Sequence, residues 1–401
     1  MAGVTSSFDV AEVALEVVGE IAISDRQINK LTAEIGEAMA ADRDARTRDY
    51  VAQPLPRQPT VAEVPPDLAA VFCDGGRMRT REPDQGRGIH QPRWRETKNA
   101  AFHRMQSRSF DEDPQPDLPE CFRNQAYVEK LVNGLKCLKN EVFPEEADTM
   151  PSAAASPLAQ ETSASKMPPW QPQTLFRTCL SSLAPSDEFG PMMAAEADAR
   201  GFFAARKQAF LGDGLAYNWR IQQRWFPGFV PIADFIHPLE YVYTAAKAIH
   251  ADASPRWRQY LDWVNACWQG RVQEVIAELD DWQSQLGPLA EGTEIPDSDP
   301  RKIVQTAARY LTNNQSRMDY PRYRRSGLPV TSSLAESLVK QISKRVKGTE
   351  KFWNDGPSGE AILQVRAAVI SDGNRLQRWI RTRPVSPFSP RCRRILQANS
   401  A

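Results

Sequence analysis

Three apolar runs in this chain stop at an aspartate. LAAVFCDGG (68–76) reaches Asp74, QAFLGDG (208–214) reaches Asp213, and FVPIADF (229–235) reaches Asp234. A fourth acidic residue, Glu336, lies within GLPVTSSLAESLVKQISKRVKGTEKFW (327–353), with Lys340, Lys344 and Lys347 on its own side. Taken singly, each has an ordinary explanation. Asp-Gly is first of all a turn, and a Glu four residues before a Lys is the favourable order on a solvated helix. Taken together they point to chemistry. Carboxylates are hard ligands for divalent cations, and two such ions about 4 Å apart can hold both sides of an in-line phosphoryl displacement. Lysines beside such a site would contact phosphates, which supplies position rather than sequence choice.

The elements that must position these groups can be read from periodicity. In the glutamate segment, Leu334, Leu338, Val339, Ile342 and Val346 form one stripe at helical spacing, with Glu336 and the three lysines on the adjoining face. Ser332 or Ser333 can cap that helix and Gly348 can end it. Arg345 falls inside the apolar stripe, which snorkelling or fraying near the helix end would accommodate. Residues 68–80 read as a buried strand ending in an Asp-Gly-Gly turn, with 94–105 as its antiparallel partner. Further strands are expected at 174–183, 208–214 and 229–235, and a helix at 187–206. Residues 238–315 read as helical, with Trp257, Trp263, Trp268 and Trp282 among the apolar positions. Another helix is expected at 358–371, before a basic tail. Strands alternating with helices argue for an α/β core carrying an all-helical insertion.

The ends and connections are more polar. An apolar run, Val10 to Ile23, precedes Ser24, a candidate N-cap for a helix with Ile28, Leu31, Ile35 and Met39 on one face. The pair is compatible with part of a helix-turn-helix and with a plain helical hairpin. Residues 51–67 carry several prolines and read as a linker. Residues 106–172 are rich in Pro, Ser, Asp and Glu, so they are expected to be a flexible insertion with a helix only at 125–140.

Bulk composition narrows the class. Apolar residues make up 41% and charged residues 25%, enough for a core, while 50 basic and 50 acidic residues give zero net charge. Any nucleic-acid surface must therefore be local. The six cysteines have no CxxC pair and only four histidines accompany them, which disfavours an ordinary zinc site. Scattered cysteines suit a reducing compartment. No run of about 18 apolar residues marks a membrane span.

At this point the blocks resemble a family. The chain is similar to DDE-type insertion-sequence transposases of the ISKra-type group, relatives of the Mutator-like transposases. The likeness rests on CDGGRMRTRE with WRETKNAAF, on FLGDGLAYNWRIQQRWFPGFVPIADFIHPLEYVYTAAKAI, on YLTNNQSRMDYPRYRRSGLPVTSSLAESLVKQISKRVKGTEKFW, and on AILQVRAAVIS. The resemblance implies an RNase H-like core: a mixed sheet flanked by helices, with an all-helical insertion before the catalytic glutamate helix. It implies Asp74, Asp213 and Glu336 as catalytic ligands of two Mg²⁺ ions, which Mn²⁺ can replace. It places Asp234 and His237 in an Asp-Phe-x-His stretch beside that site, and Trp94 and Arg95 on the second strand. Lys340, Lys344 and Lys347 would bind DNA.

The layout expected is an N-terminal helical region (1–50), a first core part (68–237) interrupted at 106–172, a helical insertion (238–325), a second core part (326–375) and a basic tail (376–401). The implied partners are terminal inverted repeats, target DNA and further copies of the chain on paired ends, in the cytoplasm at the bacterial nucleoid. Relatives carry a fuller DNA-binding region before the first aspartate, and more often a Gly-Ser-Gly-like turn and a cysteine where this chain has VTSSLAES. The alternative is therefore a truncated or domesticated remnant that binds DNA without cutting it.

Overall fold

Leu68, Ala69, Ala70 and Val71 have no solvent exposure. Four consecutive buried apolar residues need strand neighbours on both edges and cover on both faces, as in the middle of an α/β sheet. The computed structural model, which describes residues 1–61, 64–81, 93–139, 170–289, 295–332, 338–346, 353–354 and 357–383, meets that requirement. The strands are β1 (Leu68–Arg81), β2 (Arg93–Gln106), β3 (Gln173–Ser182), β4 (Lys207–Gly212), β5 (Val230–Ala233) and the short β6 (Trp353–Asn354). Their order is β3-β2-β1-β4-β5, with β6 against the far end of β1. β1, β2 and β3 pair antiparallel, while β1, β4 and β5 are parallel to one another. The architecture is thus α/β, a mixed sheet flanked by helices.

The helices, in chain order, are α1 (Phe8–Gly19), α2 (Asp25–Ala52), α3 (Glu120–Arg123), α4 (Gln125–Lys139), α5 (Ser186–Asp198), α6 (Ala216–Trp225), α7 (Ile236–Ile249), α8 (Ala253–Trp268), α9 (Val272–Leu286), α10 (Pro300–Asn314), α11 (Tyr320–Arg325), α12 (Leu338–Val346), α13 (Pro357–Val369) and α14 (Arg375–Thr382). Ser24 caps α2 as expected: its hydroxyl accepts from the Gln27 amide, and the Gln27 side chain accepts from the Ser24 amide. α2 is part of the body of the protein. Arg43 on it pairs with Glu360 of α13, and Glu360 also accepts from Ser182 Oγ (2.9 Å) and the Leu183 amide (2.8 Å) at the end of β3. No helix among the described residues is long and apolar enough to cross a membrane.

Four expectations need correction. First, Asp-Gly-Gly is not a turn. β1 runs straight through it, with Asp74, Gly75 and Gly76 opposite Asn99, Lys98 and Thr97 of β2. The glycines serve close approach instead, because a Cβ on Gly76 would sit 2.7 Å from Thr97 Oγ1 and 3.0 Å from Asn99 Nδ2. Second, the 106–172 segment is not flexible throughout. Leu118, Phe122, Val128, Leu131 and Val132 are buried in the main core, and Asp113 takes a two-pronged ion pair from the fully buried Arg324 of α11. Residues 140–169, which include the Pro/Ser-rich stretch, lie outside the described residues. Third, the helix expected at 187–206 stops at Asp198, where Gly201 (φ +68°) turns the chain into a single short turn at 202–204. Fourth, the 238–315 region is not one helical run. α8 ends before Gly270 (φ +75°) and α9 before Gly287 (φ +83°).

The helical block also shares its interior with the sheet. Trp263, Trp268, Tyr260 and Tyr320 belong to the same apolar cluster as Val71, Phe210 and Ile232. Phe235 joins them, edge-on to Trp268 (4.8 Å) and Tyr320 (5.1 Å).

Candidate active site

The parallel half of the sheet brings the three aspartates into one row. Cys73 of β1 is level with Gly212 of β4, and Gly212 is level with Ala233 of β5. The residues that follow are Asp74, Asp213 and Asp234. In an open α/β sheet the carboxyl ends of parallel strands are where ligands bind, because the chain leaves the sheet there and backbone and side chains become available. One cleft is lined by all three aspartates, together with Asn99, His237, Ser332 and Leu338.

Each aspartate is held differently. Asp74 stays within the paired part of β1, so the sheet itself fixes its backbone. Across the strand, Asn99 is fully buried. Its Oδ1 accepts from Ser181 Oγ (2.7 Å) and its Nδ2 donates to Thr97 Oγ1 (3.2 Å). Asp213 sits just past β4. Its Oδ1 accepts from the Leu215 amide (2.9 Å) and Asn218 Nδ2 (2.7 Å), so the carboxylate is oriented before anything binds. Behind it the helical block braces the turn. Tyr310 Oη donates to the Asp213 carbonyl (3.1 Å) and Asn314 Nδ2 to the Gly214 carbonyl (3.4 Å). Asn314 is itself buried and held by Trp219 Nε1 (2.8 Å). Gly214 is required there on two counts: its φ is +97°, and a Cβ would fall 2.5 Å from the Tyr310 ring.

Asp234 is fully buried. It accepts from the Ser332 amide (3.2 Å to each oxygen), from Ser332 Oγ and from the Ile236 amide (3.4 Å). Burial pushes its carboxyl above the usual range, against the pull of hydrogen bonds from Ser332, Ile236 and Thr331. The result is a clamp: Asp234 ties residues 331–332 to the end of β5, and the Phe235 amide adds a bond to the Val330 carbonyl (3.0 Å). Asp234 therefore positions the chain beside the site. His237 lies in the same wall, buried, with Nδ1 3.9 Å from Glu240 Oε2.

Strand parity separates two faces at this point. Phe72, Asp74 and Gly76 share the face covered by α12, where Val339 Cγ1 lies 3.3 Å from the place a Gly76 Cβ would take. Lys98 and Glu96 pair across from Gly75 and Arg77, so they lie on the opposite face. There Lys98 Nζ is 2.5 Å from Glu96 Oε1 and 3.8 Å from the centre of the Tyr217 ring. Glu96 is thus neutralised and turned away from Asp74. At the start of α6, Tyr217 Oη against Lys98 and Asn218 Oδ1 beside Asp213 are buried oxygens with no hydrogen-bond partner among the described residues. Burial, then the charges of Asp213 and Asp74, keep the Cys73 thiol well above its usual range.

In the glutamate segment, Val339, Ile342 and Val346 are buried as the stripe requires. Arg345, which periodicity left without a firm partner, is also buried. Its Nε donates to the Ala2 carbonyl (2.7 Å), its guanidinium lies over the Phe8 (4.6 Å) and Trp353 (5.1 Å) rings, and burial pulls its pKa down to about 10. Lys340 is half-buried against Gly134 of α4, and Lys344 is exposed. Glu336 and Lys347 lie outside the described residues, as do Ser333, Leu334 and Gly348. Among the described residues no three His, Cys, Asp or Glu side chains are grouped to hold a metal ion. Ser332 and Leu338, the described residues that bracket the Glu336 segment, both line the aspartate cleft. Periodicity and spacing did not disclose Asn314, Tyr310 or Asn218; the only local signal was Asp213-Gly214, whose turn they stabilise.

No protein-family model matches the chain, and no curated protein matches it.

Proposed function

We propose that this chain is the core of a DDE-type DNA transposase, with an RNase H-like sheet, that cuts and joins the ends of a mobile element. One observation carries the reading: Asp74 and Asp213 follow the level pair Cys73 and Gly212 on adjacent parallel strands, and Ser332 and Leu338, on either side of the Glu336 segment, line their cleft. The donor set suits hard cations, since it offers carboxylate oxygens held by the sheet and by the 213–218 turn, with the buried Asn218 oxygen beside Asp213. Asp74, Asp213 and Glu336 would hold two Mg²⁺ ions, or Mn²⁺, which when bound supply Lewis acidity to the attacking and leaving oxygens of a phosphodiester.

The protein's own contribution is placement. The amide of Leu215 and the amide group of Asn218 aim the Asp213 carboxylate, the Tyr310 and Asn314 contacts keep its turn from shifting, and the Asp234 clamp sets where the 331–332 segment meets the sheet. Attack by water at an element end would release a 3′-hydroxyl, and attack of that hydroxyl on target DNA would follow the same in-line route without a covalent enzyme intermediate. Lys340, Lys344 and Lys347 would steady phosphates, so binding weakens as salt rises. Terminal inverted repeats, target DNA and a second copy of the chain on the paired end are the partners this reading requires, at the bacterial nucleoid.

The test is nicking of DNA carrying the element's ends in Mg²⁺ or Mn²⁺, comparing wild type with Glu336→Ala. Loss of roughly 10³-fold or more in the variant, with DNA binding retained, supports the reading. Salt-sensitive binding without nicking by either protein points instead to a DNA-binding remnant. If neither cutting nor binding is seen, the proposal fails.

A further inference from the structure

A cavity of about 500 Å³ opens beside the aspartate cleft, and Phe72, Ser332 and Leu338 line both. It lies on the Asp74 face of the sheet. Phe72 is two residues from Asp74 on β1, and Ala101 and His103 of β2 stand opposite Phe72 and Ala70. Trp170 and Pro172 form one wall, and Val330 another. Trp170 is nearly fully buried and its indole N–H is committed to Gln115, so the cavity meets its ring.

Polar side chains make up half of the lining, and His103, Arg177 and Asp372 are held in place by hydrogen bonds. His103 packs on Phe72 (4.8 Å between rings), and its Nδ1 is 3.0 Å from Thr174 Oγ1. Burial, then the charge of Arg177, pull the His103 pKa down to about 3, so the imidazole is neutral at physiological pH. Arg177 is pinned by its Nη2 bonds to the Ile370 carbonyl (2.9 Å) and Gln341 Oε1 (3.4 Å), while Asp372 accepts from its backbone amide (2.7 Å). Volume, ring-rich walls and a few fixed polar groups are the marks of a pocket for a planar organic ligand. A fixed guanidinium at its edge suits a ligand that carries phosphate.

We propose that this cavity takes one nucleobase, splayed from the DNA strand next to the phosphodiester handled at Asp74 and Asp213, with Arg177 on the adjoining phosphate. The inference rests on the reading given under Proposed function. A base within a stacked duplex cannot enter a walled cavity, so the strand must be open there, and ring stacking would repay part of the unstacking cost.

The experiment is photocrosslinking of full-length protein to single-stranded oligonucleotides carrying 5-iodouracil, with peptide mapping. Crosslinks should fall on peptides carrying Phe72, Trp170 or residues 172–177. They should drop about ten-fold in Thr174→Trp, which fills the cavity from its exposed rim. Gln171→Trp, at another lining position, serves if the first variant unfolds. Arg177→Gln should weaken oligonucleotide binding several-fold. Crosslinks elsewhere, or undiminished in both filled variants, overturn the assignment. Equal suppression by a free deoxynucleoside monophosphate at matched concentration overturns the strand-bound form. Nicking assays on the same preparations separate the two readings. Protein that nicks but crosslinks elsewhere overturns the cavity alone, and protein that crosslinks there but never nicks overturns the catalytic reading.

Discussion

Asp213 and Asp234 begin alike and end unlike. Each follows a short parallel strand, and the strands are paired so that the residues before them are level. Asp213 lies at the lip of the cleft, with one oxygen aimed by N–H donors from its own turn. Asp234 is buried and clamped by Ser332 from a segment 98 residues away. Strand register brings a carboxylate to an edge. What covers that edge decides whether the carboxylate faces a ligand or secures the chain.

That contrast can be broken by substitution. Asp213→Asn keeps shape and the amide contacts, so nicking should fall by about 10³-fold while the melting temperature moves by less than ~2 °C. Asp234→Ala should do the reverse first. It orphans the Ser332 donors in a buried site, at a cost of ~2–3 kcal/mol in unfolding free energy read from denaturant titration. A variant pair in which both lose only activity would erase the distinction drawn here.

Another buried carboxylate, Glu196, sharpens it through pH. Burial alone would raise Glu196, but Arg375, Arg200 and Arg46 outweigh that and bring it down to about 2. Because the folded value lies below the unfolded one, its stabilisation is present above the unfolded pKa and is lost as pH falls through about 2. The amount is on the order of 3 kcal/mol. Asp234 is shifted upward, so its contribution has the opposite sign: present at low pH and lost as pH rises through its folded pKa. Thermal melts from pH 2 to 7 should show Glu196→Gln losing the acid-side slope, and Asp234→Asn retaining it.

Smaller effects belong to the supports. Asn314→Ala frees the Asp213–Gly214 turn and leaves Trp219 Nε1 unpaired. About ten-fold slower nicking and ~1–2 kcal/mol lower stability are expected. Smallest is Lys344→Ala at an exposed site. Its binding should weaken only a few-fold, with the slope of log affinity against log salt reduced by about one. An unchanged slope would return Lys344 to the solvated surface.

The strands were largely legible because an apolar run cannot stay exposed, and β2 and β3 fall within a residue or two of where periodicity put them. Asp-Gly-Gly misled because glycine serves turns and close packing equally well. Only the Thr97 and Asn99 side chains across the ladder show which use applies. The 107–139 segment misled for a related reason. Its prolines and acids are visible locally, but the partners that order it, Arg324, Trp268 and Tyr260, come from the helical block. Arg345 looked out of place on a helical wheel because a wheel cannot contain Phe8, Trp353 and Ala2.

Local sequence by itself determined the elements: where most strands run, where Ser24 caps a helix, and that Asp213 and Asp234 stand just past strand ends. These follow from side-chain periodicity and capping, which act over a few residues. The tertiary structure alone decided that Asp74 and Asp213 are neighbours across parallel strands, that Asp234 is buried under Ser332, and that Asn314 and Tyr310 brace a turn about 100 residues earlier. Those outcomes depend on which surfaces meet once the apolar faces are buried, and no local pattern encodes the partner.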